Sequence, residues 1–127
     1  MASNLFIGVE GGATCSKGVL VNGEGIVLAT AETEGTNHWI IGISTTARII
    51  VELVDELLSI ANLKGSSVSS VGLALCGADT PNCISSLASA LYDLRPNLIS
   101  QGRKARVYND AIAGLETATD QGGNNRL

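Results

Sequence analysis

The sequence predicts an α/β domain built on one mixed five-stranded sheet, with elements in the order β-β-β-α-β-α-β-α. Three observations lead there. Runs with strand chemistry at 5–10, 17–22 and 26–33 follow one another with only a Gly-rich loop and a Gly-Glu-Gly turn between them, the pattern of antiparallel neighbours. Two later strand-like runs, 70–76 and 105–108, each follow a helical stretch, the pattern of parallel strands reached by crossovers. Apolar residues make up 45% of the 127-residue chain and aromatics only 3%, so one domain's core must rest on Val, Ile, Leu and Ala.

The elements follow in order. LFIGVE at 5–10 is a short apolar run, and KGVLVN at 17–22 is its hairpin partner across the Gly11-Gly12 loop. Gly23-Glu24-Gly25 is turn material, and IVLATAET at 26–33 makes the third strand. GTNHW at 35–39 is a loop. From 43 to 62, apolar residues at Ile43, Ala47, Ile50, Val54, Leu57, Leu58 and Ala61 keep a helical period; Ser44 is the predicted N-cap, and Asn62 with Gly65 marks the end. SVGLALC at 70–76 is near-continuously apolar, as a strand buried on both faces would be. Thr80-Pro81 opens a helix over 81–94 that Pro96 closes, with Asp79 or Thr80 as its cap. ARVY at 105–108 leads into Asn109-Asp110, and 111–119 reads as a further helix before the polar end DQGGNNRL. No internal repeat or low-complexity tract occurs.

Right-handed crossovers carry the fourth and fifth strands to one side of the first. Ligands of such sheets sit at the carboxyl ends of the parallel strands. Three polar loops should open at that edge: Gly11-Gly12, Gly77-Ala78-Asp79 and Asn109-Asp110.

Charge and cysteine content exclude several classes. The net charge is −4, the pI about 4.8, and no basic run stands out, which argues against nucleic acid or an anionic membrane as the main partner. The first residues lack a signal-peptide pattern, and no apolar stretch is long enough to span a bilayer. Cys15, Cys76 and Cys83 form an odd set with poor zinc spacing, so they read as free thiols and the expected location is cytoplasmic.

GVEGGATCSKGVLV at 8–21 carries the chemistry. It is neither the dinucleotide fingerprint nor the Walker loop. It is a Gly-rich hairpin loop whose amides can form an anion-binding concavity, with hydroxyls from Thr14 and Ser16 and charge from Lys17. Taken alone, the loop favours an ordinary hairpin turn.

An acidic residue, Gly-Gly, a small residue and a threonine ahead of a hairpin resemble the opening of the actin-like ATPase and sugar-kinase superfamily, with its ribonuclease H-like fold. GVEGGATCSKGVLV, GTNHWIIG, GLALCGAD and YNDAIAGLETAT, in this order and spacing, resemble the N-acetylglucosamine kinase family (BadF/BadG ATPase type) from about residue 5 to residue 123. The resemblance implies ATP-dependent phosphorylation of the 6-hydroxyl of N-acetyl-D-glucosamine, with ATP and Mg²⁺ as cofactors. It implies nucleotide contacts from Gly11, Gly12, Thr14, Ser16 and Lys17, and a magnesium role for Glu10 through water, where many relatives carry Asp. It gives Asn37 to the sugar hydroxyls and makes Asp110 both a sugar ligand and the base that takes the 6-hydroxyl proton.

Each residue also has a plainer reading. Asp110 can cap the helix from Ala111, and Asn37 can be an Asx-turn residue. His38 and Trp39 read mainly as packing under the loop, and Cys15 as a bystander thiol. The implied partner is a small amino sugar rather than nucleic acid or membrane, with room for a homodimer of a full-length parent. The resemblance implies that residues 1–123 are the family's N-terminal domain, that 124–127 diverge, and that the second domain with its other phosphate clamp is expected to be absent. The expectation is that this chain alone is inactive; the alternative is a non-catalytic product that binds sugar weakly or associates with another chain. A different sugar kinase or an ATPase activator is a lesser alternative, and the activators' iron–sulfur cysteine spacing is missing.

Overall fold

The computed structural model describes residues 4–109. Five strands form one sheet: β1 (Leu5–Gly11), β2 (Cys15–Asn22), β3 (Val27–Glu34), β4 (Ser70–Leu75) and β5 (Arg106–Asn109), in the spatial order β3-β2-β1-β4-β5. β1 pairs antiparallel with β2 and β2 with β3, while β4 runs parallel to β1 and β5 parallel to β4. This is the mixed sheet the sequence predicts, with β4 and β5 on the side of β1 away from the hairpin. The predicted helix at 111–119 lies outside the described residues.

Four helical segments connect the strands: α1 (His38–Ile41), α2 (Ile43–Ile60), α3 (Pro81–Leu94) and a 3₁₀ turn over Ser100–Gly102. α2 and α3 pack on each other, α2 against β2 and β3 and α3 against β5, so both cover one face of the sheet. That face holds the core: Leu5, Ile7 and Val9 of β1, Leu20 of β2, Val71, Leu73 and Leu75 of β4, and Val107 of β5. α2 buries Ile49, Val51 and Leu53 beyond the predicted stripe, because it must face the sheet and α3 together.

Several local expectations hold and several need correction. Thr80 caps α3, its Oγ1 accepting from the Cys83 amide at 3.1 Å, with Pro81 in the first turn. α2 ends in a Schellman arrangement, Asn62 at φ 61° with Leu63 N–H donating to Leu58 C=O at 2.7 Å. Its start differs: Gly42 is the N-cap without any side-chain cap, and Ser44 sits inside the first turn. The reason is α1, which directly precedes α2 and leaves no room for a capping residue between them. The loop predicted at 35–39 thus ends in a short helix. β4 is buried on its helix-facing side only, since Gly72 and Ala74 alternate with the core residues and stay partly exposed among the described residues. β5 begins one residue later than expected. No helix among the described residues is long and apolar enough to cross a membrane.

Candidate functional site

Parallel register brings Gly11 beside Leu75 and Leu75 beside Asn109, so β1, β4 and β5 end at one edge. The chain leaves that edge after Gly11 and after Leu75, as the sequence predicts; Asp110 lies outside the described residues. The two exits are joined directly, the Cys76 amide donating to Gly11 C=O at 2.8 Å.

Segment 35–39, reached from the far strand β3, ties the exits together. The Thr36 amide donates to Gly12 C=O at 3.1 Å, and the Thr36 and Ser16 hydroxyls share a hydrogen bond of 2.8 Å with both residues fully buried. Asn37 Oδ1 accepts from the Trp39 amide at 3.0 Å, capping α1, while its Nδ2 lies 3.7 Å from Cys76 Sγ. Trp39 Nε1 donates to Gly77 C=O at 2.9 Å. Three glycines make these approaches possible, and a Cβ on Gly11 would collide with the Thr36 hydroxyl. A Cβ on Gly35 would collide with the Ala13 carbonyl oxygen. One on Gly77, already at φ 87°, would sit 2.7 Å from Asn37 Oδ1 and 2.8 Å from Trp39 Cδ1.

The tip of the first loop is left open. Gly12 N–H donates to Cys15 C=O at 2.9 Å and closes the turn, but Ala13 and Thr14 are exposed and their amides have no hydrogen-bond partner among the described residues. The Thr14 hydroxyl is equally unengaged there, so the loop tip keeps two amides and a hydroxyl free among the described residues.

Other predicted residues fall differently. Ser16 is fully buried: it lies in β2, on the helix-covered side, and its hydroxyl bonds that of Thr36. The inward alternation Ser16, Gly18, Leu20 carried that signal, because side chains two apart share a face. Lys17 also lies within β2, on the opposite and exposed face, as the cross-strand neighbour of both Glu10 and Glu32. Glu10 is exposed on β1 beside Lys17. No cluster of three potential metal-ligating side chains occurs among the described residues. Glu10 fits Mg²⁺ only in the way Mg²⁺ commonly binds, through one carboxylate with water and phosphate completing the shell.

Asn37 is engaged as the plainer reading expects, yet each end of its amide keeps capacity, one lone pair on Oδ1 and one N–H on Nδ2. His38 packs as predicted: it is buried against the Trp39 ring, 4.8 Å between centroids, and its Nε2 has no hydrogen-bond partner among the described residues. Trp39 corrects the expectation. It is 64% exposed, because its indole reaches Gly77 over the outside of the loop. Cys15 is an exposed free thiol, and Cys76 and Cys83 are free and half-buried. Sequence reasoning missed Gly35, Thr36 and Gly77 as the parts that hold this edge together, and contacts between positions so far apart leave no local signal.

No protein-family model matches the chain. Solved structures do. A provisionally assigned N-acetylglucosamine kinase of Chromobacterium violaceum superposes with a TM-score of 0.70 at 19% identity, over 92% of this chain and 39% of its own. A glucokinase of Balamuthia mandrillaris in complex with glucose gives 0.66 at 17% identity, over 99% of this chain and 35% of its own. A ROK family glucokinase of Streptomyces griseus in complex with glucose and AMPPNP gives 0.63 at 20% identity, over 96% and 38%. The chain spans less than two fifths of the length of each. The chain has the α/β fold of the actin-like ATPases and sugar kinases, with its glycine-rich hairpin loop at the carboxyl edge of the parallel strands.

Proposed function

We propose that this chain is a lobe of an ATP-dependent sugar kinase that phosphorylates the 6-hydroxyl of N-acetyl-D-glucosamine. The observation that carries the reading is the union of two loops at one sheet edge: Gly12–Thr14, with the unengaged amides of Ala13 and Thr14, and segment 35–39, bolted to it through Thr36. Phosphoryl transfer depends mostly on holding donor and acceptor together in the right geometry, and this edge joins the two loops that would do so. The fold shared with solved sugar kinases supports the reaction class, and the four motifs, GTNHW above all, support the amino sugar.

In this reading ATP bound with Mg²⁺ supplies the phosphoryl group and part of the charge neutralisation. The Ala13 and Thr14 amides and the Thr14 hydroxyl hold phosphate oxygens. Gly11 and Gly12 let the backbone approach, Lys17 adds positive charge on the exposed sheet face, and Glu10 orients metal-bound water. Asn37 uses its remaining lone pair and N–H on sugar hydroxyls. Asp110, the next residue in sequence after β5, accepts the 6-hydroxyl proton. Ser16 acts through Thr36, as support for the loop. One wall of a site positions reactants too poorly for turnover, so the 127-residue polypeptide by itself is inactive in this account.

The test is production of the sugar 6-phosphate, followed by mass spectrometry. The polypeptide alone should make none, and joining it to the remaining lobe of a kinase of this fold should restore turnover. Asp110→Asn in that assembly should lower kcat by about 10²–10⁴-fold while the protein stays folded, since Asn also caps helices well. Full activity of Asp110→Asn would remove the proposed base, and turnover of glucose but not N-acetylglucosamine would replace the substrate.

A further inference from the structure

Asn37 meets its surroundings at both ends of its side-chain amide, and the second contact is a cysteine. Its Oδ1 accepts from the Trp39 amide at 3.0 Å, which makes it the cap of α1. That bond settles which end of the carboxamide is which, because only the oxygen can accept from a backbone N–H. Nδ2 therefore faces the other way, and there it lies 3.7 Å from Cys76 Sγ. The sequence reading gives Cys76 no part in the site, as a free thiol, and it is free and half-buried.

The cap alone does not fix the carboxamide. The last torsion of an asparagine side chain is broad, so a group held only at Oδ1 swings its Nδ2 through a wide arc. A contact at Nδ2 removes that freedom and sets the plane of the amide. Sulfur is a weak acceptor and the bond adds little to stability, but it acts on the torsion that the cap leaves loose.

The sulfur itself stands on fixed backbone. Cys76 is the first residue beyond β4, and its amide donates to Gly11 C=O at 2.8 Å, just past the paired stretch of β1 and β4. Beside it, Gly77 at φ 87° leaves the room that the carboxamide occupies: a Cβ there would lie 2.7 Å from Oδ1 and 3.3 Å from Cγ of Asn37. Gly77 C=O accepts from Trp39 Nε1 at 2.9 Å, so α1 is tied back to the residue next to the thiol. Asn37, Cys76, Gly77 and Trp39 thus form a closed circuit, anchored to the sheet through Gly11.

From this we infer that Cys76 is a positioning residue for the sugar: its Sγ holds the Asn37 carboxamide in the plane that presents the remaining N–H and lone pair to sugar hydroxyls. The sugar part rests on the kinase reading, whereas the orientation of the carboxamide rests on the geometry alone. A side-chain amide has two lone pairs and two N–H groups. Among the described residues Trp39 and Cys76 engage one of each, which leaves one acceptor and one donor on the same planar group. Hydrogen bonds weaken steeply as they lose alignment, so that pair discriminates between hydroxyls only while the plane is held.

The test compares Cys76→Ala with Cys76→Ser in the ¹⁵N-labelled 127-residue chain. Both replace the thiol with a smaller side chain, but only serine keeps an acceptor, so a purely packing role would make the two variants alike. The first readout needs no ligand: the Nδ2 resonances of Asn37, assigned by their absence in Asn37→Ala. They should move in Cys76→Ala and return toward their original position in Cys76→Ser, while the Trp39 backbone amide stays in place because the cap is intact. The second readout is titration with N-acetylglucosamine to about 10 mM, where millimolar affinity registers. Cys76→Ala should weaken binding about two- to tenfold, the span covered by one hydrogen bond of ordinary worth, and Cys76→Ser should recover much of that loss. The response of Gly12–Thr14 to Mg–AMPPNP should be the same in all three chains. Unmoved Nδ2 resonances in Cys76→Ala, or equal effects of alanine and serine, would overturn the positioning role. Moved resonances with unchanged sugar affinity would overturn its bearing on the sugar. An unsubstituted chain that binds no N-acetylglucosamine, while Cys76→Ala still moves the Nδ2 resonances, would overturn the amino-sugar reading of this edge instead, which tells the two failures apart.

Discussion

At the carboxyl ends of β1 and β4 backbone packs on backbone, whereas at the amino ends of β4 and β5 side chains line a shallow recess. The first edge is held by Thr36 on Gly12, Cys76 on Gly11 and Trp39 on Gly77, with no space for a Cβ at Gly35 or Gly77. The second is lined by aliphatic side chains beside Tyr92, Arg95, Arg103 and Lys104. A site that must orient two reactants needs the first construction, where main-chain contacts and glycines set the spacing.

The largest break in this contrast should come from Gly35→Ala. The new Cβ meets the Ala13 carbonyl, backbone that cannot rotate away, so the loss should lie at the upper end of overpacking costs, about 3 kcal/mol. Urea unfolding measures it, and hydrogen exchange should show the Gly12 and Thr36 amides losing protection while the Val68 and Ser100 amides keep theirs. A loss shared evenly by both edges would mean that the carboxyl edge is not an independent clamp.

Thr36→Val should follow, at about 1–3 kcal/mol, because the buried Ser16 hydroxyl loses its partner. Pairing it with Ser16→Ala should recover part of that loss, and the double-mutant cycle isolates the bond. Additive losses in the cycle would show that the two hydroxyls do not act together.

Asn37→Ala is expected to lower stability by only about 1 kcal/mol, the usual worth of an N-cap. In a complete kinase assembly it should weaken N-acetylglucosamine binding far more than ATP binding. Equal loss of both affinities by calorimetry would reduce Asn37 to its capping role. Arg95→Ala, at the other edge, should change stability by no more than about 1 kcal/mol, since its pair with Asp55 is solvent-exposed on both sides.

The strands and long helices were legible because their signals are local. Alternation in β1 and β2, the helical period of α2, and Thr80-Pro81 ahead of α3 each follow from neighbouring residues. The loop tip was legible for the same reason: Gly11, Gly12 and Thr14 adjoin in sequence. Ser16 was read as part of the loop because the second strand was begun two residues late. Beginning β2 at Cys15 rather than at residue 17 leaves Ser16 inside the strand, and Leu20 then fixes its face as the buried one. α1 was missed because four residues give no period, and it rests on the cap that Asn37 supplies. The bonds that build the site, Ser16 to Thr36, Asn37 to Cys76 and Trp39 to Gly77, join positions 20, 39 and 38 residues apart, and no local pattern encodes them.

The central claim, that the carboxyl edge is where nucleotide and amino sugar meet, is tested most directly by amide shifts of the ¹⁵N-labelled chain titrated separately with Mg–AMPPNP and with N-acetylglucosamine. The account predicts nucleotide shifts at Gly12–Thr14, sugar shifts at Thr36–Trp39, and each set spreading into the other through the Thr36–Gly12 bond, with residues 98–104 unmoved. Shifts confined to other parts of the sheet, or none from either ligand at about 10 mM, where even millimolar affinity would register, would contradict it.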